Sequence, residues 1–181
     1  MQNFVLFLTL LRIFSGPLIF ILVIYFEAVF IALFVFLLAS ITDYLDGKLA
    51  RSYNVESSLG ATLDPIADKI LILFAFITII LITGDNFIAG MMVIMIAREF
   101  WVSALREYSA KQIISQVTAV SFLAKIKTTL QFITILLFYL GIGLDIAMLV
   151  FIASFFLFLA LLVSIKTGLE YTVAVFGNKT L

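Results

Sequence analysis

Between positions 43 and 68 the chain carries Asp43, Asp46, Asp64 and Asp68, with Gly47, Ala50, Arg51 and Gly60 set among them. Grouped carboxylates can do two kinds of chemistry. They can hold hard divalent cations through oxygen, and one of them can take the proton of an attacking hydroxyl. The chain has no His and no Cys, which removes imidazole bases, thiolate nucleophiles and thiolate metal sites. Proton abstraction near neutral pH then falls to a carboxylate, a lysine or a tyrosine. An all-oxygen donor set favours Mg2+, Mn2+ or Ca2+ over Zn2+.

The spacing says how these side chains must be presented. Asp43 and Asp46 are three apart, and Gly47 and Ala50 extend the same helical face. Gly60, Asp64 and Asp68 recur every four residues, so they line one face of a following helix. A short connection makes the two helices antiparallel and sets the aspartate pairs at matching depth. Four charged residues at span centres would cost about 10–14 kcal/mol before mutual repulsion, which rivals the stability of an ordinary domain. The acids from Asp43 to Asp68, Glu56 included, outnumber the bases Lys48, Arg51 and Lys69, leaving a net charge of minus two. One divalent cation, or two, would supply the missing charge. The plainer alternative is that the acids only pair with those three bases. Gly47, Ala50 and Gly60 have two readings: small residues let membrane helices pack closely, and bare backbone lets a nucleotide lie against both helices.

The helices that position this constellation are membrane spans. Of 181 residues, 65% are hydrophobic and 12% charged, with 20 Phe, and mean hydropathy is +1.29. Soluble domains carry about 25% charged residues, so the composition reads as an all-α, polytopic membrane protein. No Pro-, Gly- or Ser-rich linker interrupts it, and residues 1–181 are expected to form a single membrane domain. Zero net charge gives a nucleic-acid partner no electrostatic support. Six apolar stretches, at about 4–26, 28–47, 60–83, 86–108, 118–140 and 145–166, each approach the ~20 residues of a spanning helix. Arg12 interrupts the first and no small-residue cleavage site follows, so it is expected to be a retained span rather than a leader. "EYTVAVFGNKTL" after the last stretch reads as a short tail with no assigned role.

All eleven Lys and Arg fall toward one side, and none lies near Glu27, Gly84–Asn86 or Gly141–Asp145. Positive-inside bias therefore places both termini in the cytoplasm, as six spans require. Charges such as Arg12, Asp43, Lys69 and Arg98 begin about 20 Å from the outer surface, short of the ~30 Å hydrocarbon thickness. Short helices with ends in water would give that pattern. The preferred reading is a hydrated cavity open to the cytoplasm, because charges in spans face a bundle interior or water.

Asp43-x-x-Asp46-Gly47-x-x-Ala50-Arg51, eight residues, then Gly60-x-x-x-Asp64-x-x-x-Asp68 resembles the signature of the CDP-alcohol phosphotransferase family. Eight fixed positions make the resemblance specific, and six spans and chain length agree with it. Family members transfer a phosphatidyl or similar group from a CDP-linked donor to an alcohol and release CMP. The resemblance implies that Asp43, Asp46, Asp64 and Asp68 hold Mg2+ or Mn2+, two ions, with Asp68 as the general base. It also implies that Asp46, Gly47, Ala50, Arg51 and Gly60 surround the CDP moiety. The family's members are often homodimers, and a homodimer in a bacterial-type cytoplasmic membrane, with its site facing the cytoplasm, is expected.

The acceptor is read from the later spans. "AREFWVSALRE" and "AKIKTTLQ" bring Arg98, Arg106, Lys125 and Lys127, cations suited to an acceptor that carries its own phosphate. These cations would also satisfy positive-inside bias alone, or pair with Glu99 and Glu107. The segments resemble the phosphatidylglycerophosphate synthase branch of the family, which implies CDP-diacylglycerol as donor and sn-glycerol 3-phosphate as acceptor. Thr9, Arg12 and Pro17 fit that branch's opening segment, although Val5 and Leu6 stand where it has Pro-Asn. The alternatives are a family enzyme using inositol phosphate, phosphatidylglycerol or serine and, from another class, a cation transporter. A transporter predicts charge along the whole crossing, whereas here the outer halves are uncharged.

Overall fold

In the computed structural model the backbone is described for residues 2–53, 58–111 and 122–177, and the side chains for 6–42, 63–110 and 122–177. Helices α1 (Gln2–Ile24), α2 (Val29–Tyr53), α3 (Ser58–Thr83), α4 (Asn86–Lys111), α5 (Phe122–Gly143) and α6 (Ala147–Gly177) account for all regular structure among the described residues. An all-helical chain follows from its apolarity, since backbone N–H and C=O groups in lipid must bond within their own segment. Leu6–Ile24, Leu63–Thr83, Asn86–Ala110, Phe122–Gly143 and Ala147–Gly177 are long and apolar enough to cross a membrane. The described apolar part of α2, Val29–Thr42, is shorter. Phe7, Phe14, Phe34, Phe122 and Phe151 are exposed, as a lipid-facing surface allows.

The ends of the helices are set by local chemistry. Gly84 takes φ 59° after α3, and Asp85 caps α4 by accepting the N–H groups of Phe87 at 2.7 Å and Ile88 at 3.2 Å. After α5 the Asp145 backbone turns left-handed, at φ 55°. Its N–H reaches Ile142 O, and that of Ile146 reaches Gly141 O, the paired closure that satisfies a helix's last carbonyls. Pro17 and Pro65 lie inside α1 and α3, each removing one backbone donor.

At the other end of α6 the structure departs from the sequence expectation. The supposed tail continues the helix to Gly177. No proline interrupts it, and Thr167, Gly168, Tyr171 and Val175 are buried, so this stretch has a packing face rather than a solvated coil's composition.

Contacts divide the chain into two compact units. The first comprises Met1–Thr83 with Tyr139–Ile146, where α1 packs against both α2 and α3. Ile19, Phe36, Leu71, Phe76 and Ile79 fill it. Gly16 marks the close approach of α1 to α3: a Cβ there would lie 3.0 Å from the Phe74 ring and 3.2 Å from Ile70 O. Thr78 spends its hydroxyl proton on Ala75 O, so the buried Tyr139 hydroxyl must donate to Thr78 Oγ1 at 2.6 Å. The second unit comprises Gly84–Phe138 with Ala147–Leu181. There α4 packs along α6, burying Val102 and Leu105 against Tyr171 and Val175.

Candidate active site

In the first unit, α3 carries Asp64 and Asp68 one turn apart, and α1 supplies a polar partner to each. The Thr9 hydroxyl donates to Asp64 Oδ1 at 2.6 Å. Arg12 Nη1 donates to Asp68 Oδ1 at 3.2 Å, with the arginine side chain wholly buried and that of Asp68 48% exposed. Thr9 and Arg12 are three residues apart, so one stripe of α1 faces one stripe of α3. Thr9, Arg12 and Ser15 continue that stripe as buried polar side chains on an otherwise apolar helix. A buried arginine is tolerable because its carboxylate partner stands in reach. Asp68 thus has one oxygen tethered while its side chain stays accessible, a geometry compatible with proton abstraction.

Positions 43, 46, 47, 50 and 51 lie in α2, and position 60 opens α3. The side chains of Asp43, Asp46, Gly47, Ala50, Arg51 and Gly60 are outside the described residues. Among the described residues no three metal-binding side chains come together, because Asp64 and Asp68 are the two members of the set within them. Both are hard oxygen donors on one helix face, one turn apart, held by neighbours that bring no softer ligand. That donor chemistry fits Mg2+ or Mn2+.

The cations of the second unit form a separate network. Lys127 of α5 donates to Glu99 Oε1 of α4, and Arg98 Nη1 stands 3.6 Å from the same oxygen. Arg98 Nη2 donates to Thr167 Oγ1 at 2.6 Å. Arg106 Nη2 donates to the Tyr171 hydroxyl at 2.8 Å, and its guanidinium lies 4.9 Å from the centre of that ring, a cation–π contact. The Nε atoms of Arg98 and Arg106 are buried without a hydrogen-bond partner. Arg98, Arg106 and Lys127 therefore share one neighbourhood, but Lys125 does not: it is exposed, two residues and about 200° round α5 from Lys127.

Four participants escaped the sequence reading. Thr9 and Arg12 fitted an opening segment but had no place in the site; the signal for them was a charge inside an apolar span. Tyr171 was lost because the stretch from Glu170 read as a tail, and Thr167, between that tail and the last apolar stretch, was given no role. Their four-residue spacing was the available clue.

Known proteins resemble this chain over most of its length. The family model of CDP-alcohol phosphatidyltransferases matches residues 3–167. A Rickettsia typhi protein named CDP-diacylglycerol–glycerol-3-phosphate 3-phosphatidyltransferase is 40% identical over 94% of this chain and 96% of its own length. A Rickettsia bellii protein of the same name is 38% identical over 94% of this chain and 93% of its own. The Escherichia coli K12 protein of that name is 38% identical over 71% of each chain.

Proposed function

The chain belongs to the CDP-alcohol phosphatidyltransferase family, and from that premise we propose that it transfers the phosphatidyl group of CDP-diacylglycerol to sn-glycerol 3-phosphate, giving phosphatidylglycerophosphate and CMP. The observation that carries the acceptor assignment is the likeness, nearly end to end, to relatives named for that reaction. The buried cations of the second unit support it, since an acceptor with its own phosphate needs donors of this kind.

Asp43, Asp46, Asp64 and Asp68 would hold Mg2+ or Mn2+, two ions. When bound, these ions neutralise pyrophosphate charge and stabilise the departing CMP. Asp68 takes the proton of the acceptor hydroxyl, whose oxygen attacks the phosphorus that carries the diacylglycerol. The new P–O bond forms as the bond to CMP breaks, and the electron pair leaves on the CMP phosphate. Thr9 and Arg12 hold the two α3 carboxylates in register for this step. Asp46, Gly47, Ala50, Arg51 and Gly60 surround the CDP moiety, and Arg98, Arg106 and Lys127 serve the acceptor phosphate; Lys125, on another face of α5, is left out of that set. The chain is one membrane domain with six spans in a bacterial-type cytoplasmic membrane, both termini and the site cytoplasmic, and it works as a homodimer. In that setting the donor's acyl tails stay in lipid while its headgroup stays wet.

The test is an acceptor panel on purified protein in detergent with CDP-diacylglycerol and Mg2+. Radiolabelled glycerol 3-phosphate, serine, inositol phosphate and phosphatidylglycerol are offered separately. Label enters lipid from glycerol 3-phosphate and not from the others; incorporation of serine alone would overturn the assignment.

A further inference from the structure

Arg98 and Arg106 sit eight residues apart on α4, about 12 Å along the axis, whereas their partners Thr167 and Tyr171 sit four apart on α6, about 6 Å. Both guanidinium groups are thus tied by hydrogen bonds to one short stretch of a neighbouring helix. Gly168 makes room for the first of them. A Cβ at that position would stand 3.1 Å from Arg98 Nε and 3.2 Å from its Cγ, so the arginine stem lies in the gap left by the missing side chain. Val102 and Leu105 of α4 then seal against Tyr171 and Val175, fixing the last turns of α6 to α4. The Arg98 side chain is only 10% exposed, and the buried Nε donors of both arginines lack partners. Orphaned donors of this kind are destabilising unless an acceptor arrives.

We infer that Thr167, Gly168 and Tyr171 are positioning residues, which clamp Arg98 and Arg106 against α6 in the arrangement that receives the acceptor's phosphate. The inference rests on the reading of those two arginines as acceptor-phosphate ligands. It assigns a role to a stretch of α6 that lies partly beyond the residues matched by the family model, which end at Thr167. The clamp acts through the two arginines assigned to the acceptor, so on this reading its loss appears in acceptor binding.

Initial rates of the full-length purified protein, with each substrate varied in turn, provide the test. Variants are Thr167→Val, Thr167→Ser and Gly168→Ala, with Arg98→Ala as the control for the underlying reading. Thr167→Val raises KM for glycerol 3-phosphate about tenfold or more, as loss of a hydrogen bond to a charged group implies, and Gly168→Ala raises it by displacing the Arg98 stem. KM for CDP-diacylglycerol and kcat stay near wild type, and Thr167→Ser, which keeps the hydroxyl, restores the acceptor KM. An unchanged donor KM also shows that each variant is folded. If Arg98→Ala raises the acceptor KM while Thr167→Val and Gly168→Ala do not, the clamp is wrong and the ligand reading stands. If Arg98→Ala leaves the acceptor KM untouched, the ligand reading falls and the clamp with it. Parallel losses in both KM values would mark a general structural role and equally overturn the clamp.

Discussion

Arg12 has no exposed surface, yet it sits among Leu and Phe on the first helix. Its burial is offset by Asp68 at 3.2 Å, and Thr9 repeats the arrangement one turn away against Asp64. The aspartate pattern was legible because carboxylates stand out in an apolar chain and recur at helical spacing. Their partners on α1 were not, since a lone threonine in a span more often bonds its own backbone, as Ser15 does with Leu11 O. The Thr9 hydroxyl turns one oxygen of Asp64 toward α1, which fixes the direction of the other. Thr9→Val is therefore expected to weaken Mn2+ binding about 10- to 100-fold, the usual effect of removing a partner behind a metal ligand. Electron paramagnetic resonance titration of free Mn2+ measures this directly. Thr9→Ser should bind as wild type does; equal affinity in the valine variant would remove Thr9 from the site.

At the level of helices, apolar run length and turn residues located all six elements, and the ends missed by the largest margin were those where composition changed without a break in packing. The last helix continues past Ile165 because Thr167, Gly168, Tyr171 and Val175 form a buried stripe, although Lys166 and Glu170 beside them make the stretch read as soluble. Side-chain pairing between helices is likewise invisible to periodicity: Lys125 and Lys127 look equivalent in sequence, but one is exposed and the other is buried on Glu99. The α1–α3 contact depends on Gly16, where added bulk meets Phe74 and the Ile70 backbone. Backbone cannot yield as a side-chain tip can, so Gly16→Val should destabilise the protein by about 1–3 kcal/mol. Thermal unfolding in detergent would show this as a lowered Tm, and an unchanged Tm would mean that the two helices are free to separate. Because α1 carries Thr9 and Arg12, the same variant should lose Mn2+ affinity as well.

For the whole molecule, the distribution of Lys and Arg predicts an orientation in which the turns at Asn86 and Leu144 are external and the end of α6 is cytoplasmic. The absence of cysteine makes that orientation testable on a clean background. Asn86→Cys and Leu144→Cys, both at exposed positions, should react with a membrane-impermeant maleimide added to spheroplasts, and Phe176→Cys only after lysis. The reverse pattern would invert the membrane topology and move the site to the outer face. The orientation matters to the proposed reaction because its acceptor and metal are water-borne and would have to reach carboxylates that are costly in lipid without a cation among them. The most direct test of that idea is CMP release from CDP-diacylglycerol at saturating glycerol 3-phosphate, by wild type and Asp68→Asn, with Mg2+ and with a chelator. The wild type should release CMP only with the metal. Asp68→Asn should lose about 10²- to 10⁴-fold in kcat, the range for a general base, while keeping its KM for CDP-diacylglycerol. Release indifferent to the chelator, or an asparagine variant that turns over at the wild-type rate, would contradict a metal-assisted transfer that uses Asp68 as its base.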